Sequence, residues 1–168
     1  MKRGYIICFK GTGFTFHVLS FLLGLFDKEW RKRSWKPWHL AILYSIERTR
    51  TVIIESTSGG VRFNILSGKE GVDWKSYQWL DKAPTGQQMH EWALKYLGQP
   101  YDCIGYATTV LSYLSNVLFN RPFRIINRDY YCWELGSMFA IDHGKPFVPL
   151  EEKPTIAEIV RALEAENE

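Results

Sequence analysis

Trp38-His39-Leu40-Ala41-Ile42-Leu43-Tyr44 and, after Ser45 to Arg50, Thr51-Val52-Ile53-Ile54-Glu55 decide how the chain is read. Both runs are aliphatic or β-branched and too short for typical helices, so each is a strand. The segment between them is turn-sized and mostly polar, which makes the pair a hairpin. With the turn centred on Glu47, Ser45 opposes Thr49, Tyr44 opposes Arg50, and His39 falls opposite Glu55. Directly opposed residues share a face, with Cβ atoms about 5 Å apart. The hairpin therefore gives an imidazole a carboxylate neighbour. Polar groups on otherwise apolar strands need a partner, and a purely structural His–Glu pair meets that need as well as a catalytic one.

Working outward, residues 4–9 read as a short buried strand, and Gly11-Thr12-Gly13 as a plain turn lacking the remaining residues of a nucleotide loop. Residues 15–26 form a mostly apolar helix. Lys28 to Lys36 is basic, with Trp30 and Trp35 interleaved, and is expected to be a solvated loop whose tryptophans fold back on the domain. Downstream, Gly59-Gly60 turns the chain into a third strand, Val61 to Leu66, and residues 76–81 make a weaker one. Thr85 to Leu97 is a helix with Met89, Trp92, Ala93 and Tyr96-Leu97 on its apolar face and Gly98 at its end. A further helix follows Gln99-Pro100-Tyr101-Asp102 and runs to about Phe119, and residues 121–129 connect it to the next. A C-terminal helix at about 155–166 has Thr155 and Glu158 at capping-box spacing.

The 168 residues suit one domain, 1–168, with no internal repeat or linker, and 46% hydrophobic with 15% aromatic content argues against disorder. A net charge of +3 is too small to call for nucleic acid as a partner. Cys8, Cys103 and Cys132 cannot all pair with one another, which favours a reducing compartment or at least one free thiol. Lys10 interrupts the first apolar run, and no cleavage site follows, so no signal peptide is expected. Phe14 to Phe26 is too short to span a bilayer, and Thr, Ser and Asn dilute Ile104 to Phe119. The expectation is a chain with no transmembrane segment, cytoplasmic on synthesis.

Tyr130-Tyr131-Cys132-Trp133-Glu134-Leu135-Gly136-Ser137-Met138-Phe139 carries the thiol of most interest. Leu135, Met138, Phe139 and Asp142 recur at helical spacing and put Cys132 near a helix N-terminus, where unpaired N–H groups and the dipole favour a thiolate. A buried small apolar residue is the competing reading of the same cysteine. Of the histidines, His143 lies eleven residues along, about 16 Å by helical rise, which is too far. His90 reads as a surface residue and His17 as a core one, whereas His39 has Glu55 across the hairpin. No Cys or His pair has zinc-site spacing, and no Gly-x-Ser-x-Gly elbow is present, so neither metal nor other cofactor is called for.

In order, these pieces are a strand, a Gly-rich turn, an apolar helix, a strand beginning with His39 and a strand carrying Glu55. Gly98-Gln99-Pro100-Tyr101-Asp102 and Cys132-Trp133-Glu134-Leu135 follow. The chain thereby resembles the circularly permuted papain-like cysteine hydrolases of the NlpC type, the group that includes the lecithin retinol acyltransferases. The likeness runs thinly over residues 4 to 140. It implies an α+β fold with a small antiparallel sheet against helices, Cys132 as nucleophile, His39 as base and Glu55 as its orienting carboxylate. Tyr101 and Trp133 would line the oxyanion and substrate pocket. Gly4-Tyr5, Trp38-His39 and Trp133 stand where the family usually has Gly-Asp, Ser-His and Ser. The implied activity is thiol hydrolysis of an amide, in peptidoglycan stem peptides, with lipid acyl hydrolysis or transfer as a further alternative. Delivery to the cell envelope would then need a carrier such as a phage particle. A silent papain-like domain, serving as a binding or structural subunit of a larger assembly, is the rival from another class.

Overall fold

The structure, a computed structural model, describes residues 2–12, 17, 18, 20, 21, 24, 25, 27–66, 71–101, 132–149, 154 and 156–167. Cys103, the helix expected to Phe119, the connection 121–129 and Thr155 with its capping box lie outside them.

The chain is α+β, built on a five-stranded antiparallel sheet. Its strands are β1 (Ile6–Lys10), β2 (Pro37–Ile46), β3 (Thr51–Thr57), β4 (Gly60–Ile65) and β5 (Trp74–Tyr77), in the spatial order β4-β3-β2-β1-β5. The helices are α1 (Lys28–Lys32), α2 (Gly86–Tyr96), α3 (Cys132–Asp142) and α4 (Ile156–Asn167). Alternation of side chains along the strands splits the interior in two. Ile6, Cys8, Leu40, Ile42 and Ile54 join the buried faces of α2, α3 and α4 in the main core, while Ile7, Phe9, Ala41, Leu43 and Ile53 cluster on the other face.

Local chemistry explains most boundaries. Thr85 caps α2 in a full capping box with Gln88, satisfying otherwise orphaned N–H groups at the helix start. Asp27 caps α1 by accepting from Trp30 N at 2.9 Å. Trp30 is fully buried, with its indole N–H donating to Ser20 Oγ, and Trp35 is half-buried beneath the Lys75 ammonium. The tryptophans of the basic stretch do fold back on the body, but its first part, Lys28–Lys32, is a capped helix and not the expected loop. The described residues of the expected 15–26 helix are helical, but His17 there is exposed, not a core histidine.

Two further expectations, both in the sheet, need correction. The weak strand is Trp74–Tyr77, not 76–81, because its ladder partner β1 begins at Ile6, opposite Tyr77. Beyond that point Gln78 bonds to Asn167, and the Trp79 indole turns to the Lys145 carbonyl at 2.5 Å. The hairpin register is also shifted: Ala41, not His39, is directly opposite Glu55. Glu47 N donates to Arg50 O, which sets the turn at 47–50 and pairs Ile46 with Thr51 and Ser45 with Val52. Leu43 then pairs with Ile53, so Tyr44 is an extra residue, a β-bulge.

Candidate active site

His39 projects from the start of β2 beside its ladder partner Phe9, with ring centroids 5.6 Å apart. Its Nε2 lies 2.7 Å from Glu55 Oε2. The His39 side chain is 22% exposed, whereas that of Glu55 is wholly buried. The two are diagonal neighbours on one face because Glu55 opposes Ala41, two residues from His39. The bulge makes this possible. Continued without Tyr44, the register set at the turn would put Glu55 opposite Ile42 and onto the other face of the sheet.

Cys132 comes from a different part of the chain. It is the first residue of α3, which lies on β2 and touches β3. Gly136, one turn on, permits the approach, since a Cβ there would stand 2.6 Å from a Leu40 methyl carbon. Cys132 is 4% exposed, and its Sγ–H is directed at the Trp38 carbonyl, 3.8 Å away. Cys132 also hydrogen-bonds the His39 side chain, which brings thiol and imidazole together at the start of β2. With Nε2 on Glu55, Nδ1 is the ring nitrogen left for Cys132.

The electrostatics join all three. Burial by itself would pull His39 down, but hydrogen bonding and charge from Cys132 and Glu55 outweigh it and push the ring up to about 9. At neutral pH the site therefore favours imidazolium, with a buried carboxylate on one side and Cys132 on the other. Cys8 contrasts with this. Burial pushes its thiol far upward, and the charges of Cys132 and Glu164 act in the same direction.

The remaining expected site residues are placed differently. Trp133 is 6% exposed, packed edge-on against Trp38 with centroids 6.1 Å apart, and belongs to the main core, not to an open pocket wall. Tyr101 is half-buried against the same core. His143 bonds its own helix at Phe139 O, and His90 is exposed beside the Tyr44 hydroxyl, so both serve locally. Sequence reasoning missed Asn64, whose Nδ2 donates to Glu55 Oε1 at 2.6 Å. An asparagine on a half-exposed strand gives no sequence signal by itself. Among the described residues no cluster of His, Cys, Asp and Glu could hold a metal, and no helix is long and apolar enough to cross a membrane.

No family model and no curated protein matches the chain.

Proposed function

We propose that this protein is a papain-like cysteine hydrolase of the permuted NlpC type, cleaving an amide bond by way of a Cys132 thioester. One observation carries the reading: His39 joins a wholly buried carboxylate, 2.7 Å from Nε2, to a cysteine at the N-terminus of α3. A nucleophile, its base and an orienting acid are the parts acyl transfer needs. In this mechanism the proton shared by Cys132 and His39 rests on the ring, as the upward shift of His39 favours, and Sγ attacks the substrate carbonyl. The N–H of Cys132, in the first turn of α3, donates to the oxyanion. His39 then protonates the departing amine, and water, deprotonated by His39, hydrolyses the thioester. Glu55 holds the ring and balances its charge throughout. Peptidoglycan stem peptides are the substrate class this reading favours, with acyl lipids as the alternative, and delivery in a phage particle would bring the chain to the former.

A silent papain-like subunit remains the second reading, supported by the 4% exposure of Cys132 and the burial of Trp133. One experiment separates the two: alkylation with iodoacetamide at pH 7, read by mass spectrometry, alongside turnover of purified peptidoglycan. The hydrolase reading expects Cys132 to be modified at least ~100-fold faster than Cys8, an advantage lost in His39→Ala. It also expects cleavage to vanish in Cys132→Ala and to fall by about 10²–10⁴ in His39→Ala. Equal sluggishness of Cys132 and Cys8, with no cleavage, would leave the silent subunit.

A further inference from the structure

We infer that Asn64 is a positioning residue of this site: it anchors one oxygen of Glu55 so that the other stays fixed on His39. The inference rests on the cysteine-hydrolase reading for its consequence, but its geometry stands without it.

Asn64 lies on β4, directly opposite Ile53, which places it diagonal to Glu55 on the same face of the sheet. Its Nδ2 is 2.6 Å from Glu55 Oε1, and Glu55 Oε2 is 2.7 Å from His39 Nε2. The amide cannot be turned round. Its Oδ1 accepts the Ile65 backbone N–H at 2.8 Å, so a flip would set a carbonyl against a carboxylate and an amino group against an N–H. The side chain is thus fixed at both ends, one on the backbone of β4 and the other on the carboxylate.

That arrangement does two things for a wholly buried Glu55. It supplies an N–H donor to an acid that has lost its water, which favours the ionised form. It also fixes the plane of the carboxylate, because rotation about the last side-chain bond would break the Asn64 contact together with the His39 contact. Among the described residues, Cys132 from α3 acts on His39, and Arg62 lies across the ladder from Glu55. The Arg62 guanidinium, however, extends over Gly59. Neither replaces an amide donor aimed at Oε1.

The test uses the full chain carrying Asn64→Leu, which keeps the bulk, and Asn64→Ala, which relieves it should the first fail to fold. The His39 ring is followed by NMR across pH and identified by its loss in His39→Gln. Midpoints at least about one pH unit below the wild-type value near 9 are expected in both variants. In turnover, kcat should drop roughly tenfold or more with KM changed less than about twofold, because Asn64 acts through the base and does not touch substrate. A folded Asn64 variant with an unmoved His39 midpoint overturns the positioning role. A shifted midpoint in a protein that hydrolyses nothing sustains that role and removes the hydrolase reading.

Discussion

His39 concentrates the energetics of the site in one ring. A free imidazole titrates near 6.5, and in the fold this one is pushed up to about 9. The folded chain therefore binds the proton more tightly than the unfolded chain. The resulting stability is fully present below about pH 6.5 and is lost as pH rises through about 9. Each tenfold gain in proton affinity corresponds to about 1.4 kcal/mol, and partial screening of a side chain 22% exposed reduces the total. Urea unfolding of wild type and His39→Gln should show a stability gap that narrows by about 2 kcal/mol between pH 6 and pH 9.5. A gap that stays constant would mean the ring gains nothing from Glu55 and Cys132. The surface ion pairs are common to both proteins and cancel in the gap.

At the scale of elements, α3 and β2 have to meet closely for Cys132 to reach His39, and Gly136 sits at that contact. A Cβ added there would lie 2.6 Å and 3.0 Å from the two Leu40 methyl carbons, and Leu40 is 1% exposed with no route into solvent. Gly136→Ala gains about 1 kcal/mol of helix propensity but overpacks the core at a cost of about 1–3 kcal/mol. A lowered thermal midpoint and slower Cys132 alkylation are expected together; a raised midpoint would show that Leu40 yields and propensity wins. The strands and α2 are legible in the sequence, since β-branched runs and a 3.6-residue apolar period are local signals. His39 and Glu55 are legible too, as titratable groups on apolar strands. The hairpin register expected from the turn is two residues off, and an even error preserves faces, so the pair survives it. The bulge at Tyr44 is not legible, because a bulge depends on how two strands meet and not on one residue type. Asn64 escapes for a related reason: its role exists only across the ladder from Ile53.

For the whole molecule, the question is whether α4 is part of the same cooperative unit as the site. Its polar ties are numerous: Arg161 to Asp27, Arg33 to Glu164 at 2.6 Å, Lys145 to Glu166 at 2.6 Å, and Asn167 to both backbone groups of Gln78. Partly exposed ion pairs contribute about 0–1 kcal/mol each, so they guide the helix more than they hold it. Burial is the larger effect. Ile156, Ile159, Val160 and Leu163 are 0–3% exposed and share one continuous cluster with Leu40, Cys132, Leu135 and Phe139. Leu163→Ala should therefore cost about 2–5 kcal/mol, a large fraction of the 5–15 kcal/mol typical of a domain. Because Trp30, Trp92 and Trp133 belong to the same cluster, tryptophan fluorescence and far-ultraviolet circular dichroism should report a single urea transition in this variant, moved to lower denaturant. If circular dichroism falls first and fluorescence keeps its wild-type midpoint, α4 melts independently. The sheet and α3 would then carry the site without it.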